Sequence, residues 1–174
     1  LGIAAGAFTK AKTKLWDNVA DLGHAVVLAD LIGKILWEPK FEMALVWNTR
    51  WFSKPEENLN WNAVDARNGL TATGLALKAW KGPLARSQLL WSQGSPLVGA
   101  YALANAGGAG LCLILINRDL QARPVEVEFR GARPSGTPAV TVLRGTGPED
   151  TNPQWWIPPS PPTPVPTPGH QTVG

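Results

Sequence analysis

FEMALVWNTRW occupies residues 41–51, and the architecture turns on whether it contains a buried strand. Ala44, Leu45 and Val46 are consecutive apolar residues with no polar alternation, so Phe41 to Asn48 reads as a strand covered on both faces. Upstream, Leu15, Val19, Leu22, Val26, Ala29, Ile32 and Leu36 recur at spacings of three and four, which predicts a helix over Leu15 to Leu36. Pro39 marks its stop. The contiguous Ala25, Val26, Val27 and Leu28 widen its apolar stripe, as packing on a sheet requires. Downstream, Arg50 to Asn62 is a polar loop and Asn68-Gly69 marks a turn. Thr71 to Trp80 reads as a second helix, ended by Gly82 and Pro83. Helix, strand, long loop, helix is a piece of an α/β repeat.

Beyond Arg86 the pattern shortens. LLWSQ (89–93), LVGAYALAN (97–105), GLCLILIN (110–117), VEVEFR (125–130) and AVTVLR (139–144) are strand-like runs separated by Gly, Pro, Ser and Asn turns. In VEVEFR, Val125, Val127 and Phe129 alternate with charged residues, so one face should be wet. Leu111 to Ile116 is apolar on both faces and should be central. Regular short strands of this kind predict a small antiparallel β-sandwich. The end, IPPSPPTPVPTPGHQTVG, is proline-rich and reads as a disordered tail biased to polyproline II.

The 174 residues suit one ordinary domain or two small ones, and an apolar share of 44% can supply a core. The only Met is Met43 and the chain opens mid-pattern at Leu1, which reads as a fragment or a processed product. The formal charge of +3 is carried by scattered basic residues rather than a concentrated patch, which argues against nucleic acid as a partner. No stretch reaches the roughly 18 apolar residues of a membrane span. Cys112 reads as a small buried hydrophobe. One Cys and two distant His offer no metal-ligand set, and no glycine-rich phosphate loop is present, so no metal or other cofactor is expected.

Three groups of residues bear on chemistry. His24 lies one turn from Asp21, a conceivable acid–base pair, but no activated Ser or Cys accompanies it and a packing or surface role is the simpler reading. Paired carboxylates would point to glycoside hydrolysis. Glu38, Glu42, Glu56, Glu57, Asp65, Glu149 and Asp150 are the local choices, and none forms a convincing pair, so no catalytic residue is assigned. The third group is Trp47, Asn48, Arg50 and Trp51, where the expected strand gives way to its loop. A flat indole can floor a sugar subsite, while Asn48 and Arg50 donate hydrogen bonds to hydroxyls. Nine tryptophans is high for this length: core packing accounts for about half of them, and sugar binding is the sharper reading of those on loops or at strand ends.

HAVVLADLIGKIL, FEMALVWNTRW, NAVDARNGLTATGLALKAW, GLCLILINRD and VLRGTGPEDTNPQW occur in an order that resembles the C-terminal part of glycoside hydrolases of the α-L-arabinofuranosidase and agarase-like type, over roughly residues 15–156. The resemblance implies that residues 1–87 are the last β/α units of a (β/α)8 barrel, residues 88–156 a β-sandwich and residues 157–174 a proline-rich tail. It makes Leu15 to Leu36 the seventh barrel helix, Phe41 to Trp47 the eighth strand and Thr71 to Trp80 the eighth helix. It carries over Trp47 as the aromatic at a strand end, where barrel active sites form, with Asn48, Arg50 and Trp51 beside it. The catalytic glutamates of such enzymes would precede Leu1. The implied function is a fragment of a hydrolase of cell-wall polysaccharide, inactive alone, with polysaccharide or oligosaccharide as its partner. The alternative is a non-catalytic carbohydrate-binding or wall-structural module. The tail resembles the proline-rich modules of extracellular wall glycoproteins, which implies secretion. A further alternative makes PPSPPTPVP a ligand for an aromatic groove.

Overall fold

The computed structural model describes residues 19–46, 49–50, 62–85, 87–105, 107, 110–130 and 137–159. Helix α1, Leu22–Trp37, starts at Asp21, whose carboxylate accepts the His24 N–H at 2.8 Å. A carboxylate here satisfies a backbone donor that the first turn leaves unpaired. Two further donors of that turn are taken from afar: Leu22 N donates to Asp150 O and Gly23 N to Pro148 O, both at 2.8 Å. The helix ends at Glu38, which is extended (φ −91°, ψ 105°), as the residue before Pro39 must be.

Helix α2, Ala72–Leu84, is capped by Thr71, whose Oγ1 accepts from Gly74 N at 3.2 Å. The turn before it is built on Asn68, which has a left-handed φ of 63°, and on Asp65, whose Oδ1 accepts from Arg67 N and Gly69 N. Asn tolerates that conformation better than most residues. The two helices meet through Ala25, Ala72 and Ala76, small side chains that let the backbones approach.

Strands β1 (Ser87–Leu90), β2 (Val98–Asn105) and β3 (Leu111–Asn117) form one antiparallel sheet in that order. Leu103 of β2 faces Leu89 of β1 and Cys112 of β3, and Tyr101 faces Ile114. Directly opposed residues share a face of the sheet. Tyr101, Leu103, Ile116 and Trp80 make the buried cluster, with Val26, Ala29 and Ile32 of α1 packed on it. Trp80 lies 5.6 Å from Tyr101 between ring centroids, tilted by 60°, and its Nε1 donates to Ala29 O at 3.1 Å. The indole thus ties α2 to α1 and to the sheet. Gly33 is where the Tyr101 ring crosses α1, and a Cβ there would run into that ring. A separate two-stranded antiparallel ribbon pairs β4 (Val142–Arg144) with β5 (Gln154–Trp156), with the Arg144 guanidinium 4.2 Å above the Trp156 ring.

This architecture overturns the expected fold class. Among the described residues there are two helices, a three-stranded and a two-stranded antiparallel sheet, and no unit of a (β/α)8 barrel. The run expected as the eighth barrel strand forms no strand over residues 41–46, and Met43 and Leu45 are 72% and 87% exposed. Apolar content licenses burial but does not supply the neighbouring strand that a ladder needs. The first expected helix is also shorter than its periodicity promised, because Asp21 is extended and caps it, so that the helix begins at Leu22. The sandwich gives way for the same reason. VEVEFR forms no strand, with Val125, Val127 and Phe129 exposed, and β4 takes only the last residues of AVTVLR. The tail expected to be disordered lies outside the described residues from position 160 onward.

Candidate functional site

Trp47, Asn48 and Trp51, expected to line a sugar subsite, lie outside the described residues. Arg50 is described, and its guanidinium is turned toward the loop that precedes α2. It donates to Asn68 Oδ1 at 3.0 Å and to Asp65 O at 3.4 Å, while Thr49 O accepts from Val64 N at 2.9 Å. The chain at 49–50 is therefore pinned to the Asp65–Gly69 turn, and Arg50 holds that turn in place.

Asp21, Asp65, Glu38 and Asp150, four of the acidic candidates, hold backbone N–H groups, while Glu56 and Glu57 lie outside the described residues. His24 Nδ1 lies 2.8 Å from the same Asp21 oxygen that caps α1. Asp65 holds its own turn, and Glu38 Oε1 accepts from Lys40 N. Asp150 accepts from Thr146 N and Asn152 N, and these backbone hydrogen bonds hold its carboxyl below the usual value. Among the described residues no group of three or more His, Cys, Asp or Glu could hold a metal ion. Burial pushes the Cys112 thiol up, away from reactive thiolate.

The chemically richer place is a shallow open cleft of about 300 Å3 between the last turns of α1 and the start of β2. Lys34, Trp37, Ser92, Ser95 and Arg118 line it, with Gly99 and Tyr101 on its floor. Beneath it sits Asp30, 7% exposed. Its Oδ1 accepts from the Tyr101 hydroxyl at 2.8 Å and from Arg118 Nη2 at 2.7 Å, and its Oδ2 from Lys34 Nζ at 2.8 Å. Burial alone would raise this carboxyl. The hydrogen bonds from Arg118, Lys34 and Tyr101 outweigh it and hold the group below its ordinary value. Tyr101 is pushed up to about 12, by burial first and then by its hydrogen bond to the Asp30 carboxylate. Arg118 also reaches Pro96 O through Nη1 at 3.3 Å, which fixes the plane of its guanidinium.

Gly99 explains why β2 can pass so close to this group. A Cβ at that position would lie 2.7 Å from Asp30 Oδ1 and 2.9 Å from Arg118 Nη2. Ser92 Oγ donates to Ala100 O at 2.9 Å and accepts from Ala102 N, so it bridges the cleft wall to β2. Ser95 Oγ accepts from Val98 N at 3.0 Å, and no acceptor among the described residues takes its own proton.

Sequence reasoning missed this site because its members come from four separated segments. Two signals were present: Asp30 lies within the apolar stripe of α1 with Lys34 one turn on, and Arg118 follows directly on the apolar run of β3. No family model, no curated protein and no solved structure matches this chain.

Proposed function

We propose that this chain binds polysaccharide as part of a glycoside hydrolase, with the bond-cleaving carboxylates supplied by other parts of the enzyme. The cleft beside Trp37 carries this reading. An indole edged by an ammonium, a guanidinium and a serine hydroxyl is the side-chain set that sugars call for, since a pyranose offers one C–H face and a rim of hydroxyls. The order of motifs over residues 15–156, which resembles that of such hydrolases, is the ground for naming a hydrolase as the parent. The reading rests on side chains and on motif order, and needs no barrel. Trp47, Asn48, Arg50 and Trp51 are proposed as a second contact region on the same polymer, with Arg50 acting through the Asp65–Gly69 turn that it holds. The proline-rich tail supports a secreted, cell-wall location for the enzyme.

The test is retention of the complete chain on insoluble cell-wall polysaccharide, with reducing-end release measured in the same tube. Retention without release is expected. Failure to be retained by any plant or algal wall polymer refutes the proposal. Release of reducing ends by the chain alone would refute its assignment as a binding part.

A further inference from the structure

On the basis of that reading, we infer that the cleft selects an acidic saccharide, holding its carboxylate or sulfate between Lys34 and Arg118 while the ring lies on Trp37. Three observations carry this. Lys34 and Trp37 stand three residues apart in the last turn of α1, so they share a helix face and can meet one sugar together. Two cations share a single carboxylate: Asp30 takes one N–H from Lys34 and one from Arg118, and among the described residues neither cation has a second carboxylate partner. Glu38, the residue that ends α1, accepts from Lys40 N at 3.3 Å and forms no ion pair with either cation.

The two cations are also placed differently, as anion capture requires. Arg118 is fixed by Asp30 and Pro96 and its side chain is only 30% exposed, so it offers a rigid edge. The Lys34 side chain is 61% exposed, with ammonium protons beyond the one given to Asp30, so it can swing to meet the ligand. A neutral saccharide could use the indole and Ser95, but it would give neither cation a second anionic partner. Carboxylate and sulfate satisfy the same donors, and the structure assigns the shared chemistry rather than either group.

The complete chain is run through native gels containing polygalacturonate, a sulfated galactan, a neutral arabinan, or polyglutamate as a polyanion without sugar rings. At least one acidic polysaccharide should retard the chain about tenfold more strongly than the arabinan does, with retardation weakening as salt rises. The polymer that retards it identifies the acidic group. Lys34→Gln and Trp37→Ala should each weaken retardation about fivefold or more, with a cooperative thermal unfolding transition above the gel temperature to show that both variants fold. Equal retardation by polyglutamate, or by the neutral arabinan, overturns the inference. So does wild-type retardation of either variant. Binding to arabinan without acid preference leaves the polysaccharide-binding function standing and removes only the selectivity. Retardation by none of the saccharides removes both.

Discussion

Residues 41–46 and β3 are apolar runs of similar length in opposite surroundings. Strand β3 pairs along its whole length with β2, from Ala104 opposite Leu111 to Val98 opposite Asn117, and Ile116 is 6% exposed in the main cluster. In residues 41–46, Phe41, Met43, Leu45 and Val46 are all exposed and no ladder forms. The difference is a neighbour. Strand β3 follows β2 closely in sequence, and Asn105 N donates to Gly110 O at 2.9 Å where the two strands meet, so its partner is already beside it. Closing a short loop costs little entropy, and the ladder then pairs the backbone donors and acceptors of β3 that face β2. Residues 41–46 leave α1 through a turn, Phe41 N on Glu38 O at 3.0 Å, with no strand adjacent among the described residues. Apolar sequence is a licence for burial, and a partner decides whether it is used.

The sharpest way to break this comparison is to shorten a side chain on the paired run. Ile116→Ala should destabilise the chain by about 2–5 kcal/mol in a denaturant titration, because it opens a cavity against Tyr101 and Trp80. A loss below about 1 kcal/mol would mean that β3 is no better packed than residues 41–46. Gly33→Ala tests the helix side of the same core. It forces a methyl into the Tyr101 ring and should cost about 1–3 kcal/mol, read in the same titration.

Asp30→Asn removes the charge that joins α1 to β2 and to the end of β3, and should cost about 1–3 kcal/mol at neutral pH. Because the folded-state carboxyl titrates below its unfolded value of about 3.9, its contribution is complete above that pH and is lost as pH falls through the folded value. The variant should therefore lose less stability than the wild type on acidification below about pH 4. Tyr101 runs the opposite way. Its folded value of about 12 exceeds the ordinary 10.0, so its contribution is full below pH 10.0 and is lost as pH rises toward 12. It is the one tyrosine in the chain, so the alkaline phenolate absorbance reads it alone and should have its midpoint near 12 in the folded state. A midpoint at 10.0 would show that the phenol is not held against Asp30. The smallest effect should come from the exposed run, where Leu45→Ser should change stability by no more than about 0.5 kcal/mol. A larger loss would place residues 41–46 in contact with apolar surface after all.

Much of this was legible residue by residue. The second helix beginning at about Thr71, the Asn68-Gly69 turn and the stop at Pro39 came from residues whose local chemistry suffices, since a left-handed turn or a helix stop involves neighbours within a few positions. The runs that became β2 and β3 were also visible, from apolar content bounded by turn residues. What was not legible was which runs find partners, because a strand is defined by a ladder to another segment. The barrel expected around Phe41 to Trp47 failed at that step, and so did the strand expected at 125–130. The carbohydrate reading of Trp47, Asn48, Arg50 and Trp51 was drawn from local sequence, and of these Arg50 proves to serve the Asp65–Gly69 turn.

By itself, then, the sequence determined short-range features: two amphipathic helices, though neither the start of the first nor the end of the second, which passes Gly82 and Pro83 to Leu84, together with the Asn68-Gly69 turn and apolar runs able to enter a sheet. Only the tertiary structure decided that α1 lies across an antiparallel sheet, with Gly33 and Gly99 admitting Tyr101 and Asp30 at close range. It alone brought Arg118 to a carboxylate 88 residues away and set Ser92, Ser95 and Arg118 across one cleft from Lys34 and Trp37. The reason is physical. Caps and periodicity act within a few residues, whereas a buried charge is tolerated only where distant donors converge on it, and convergence is a property of the folded chain.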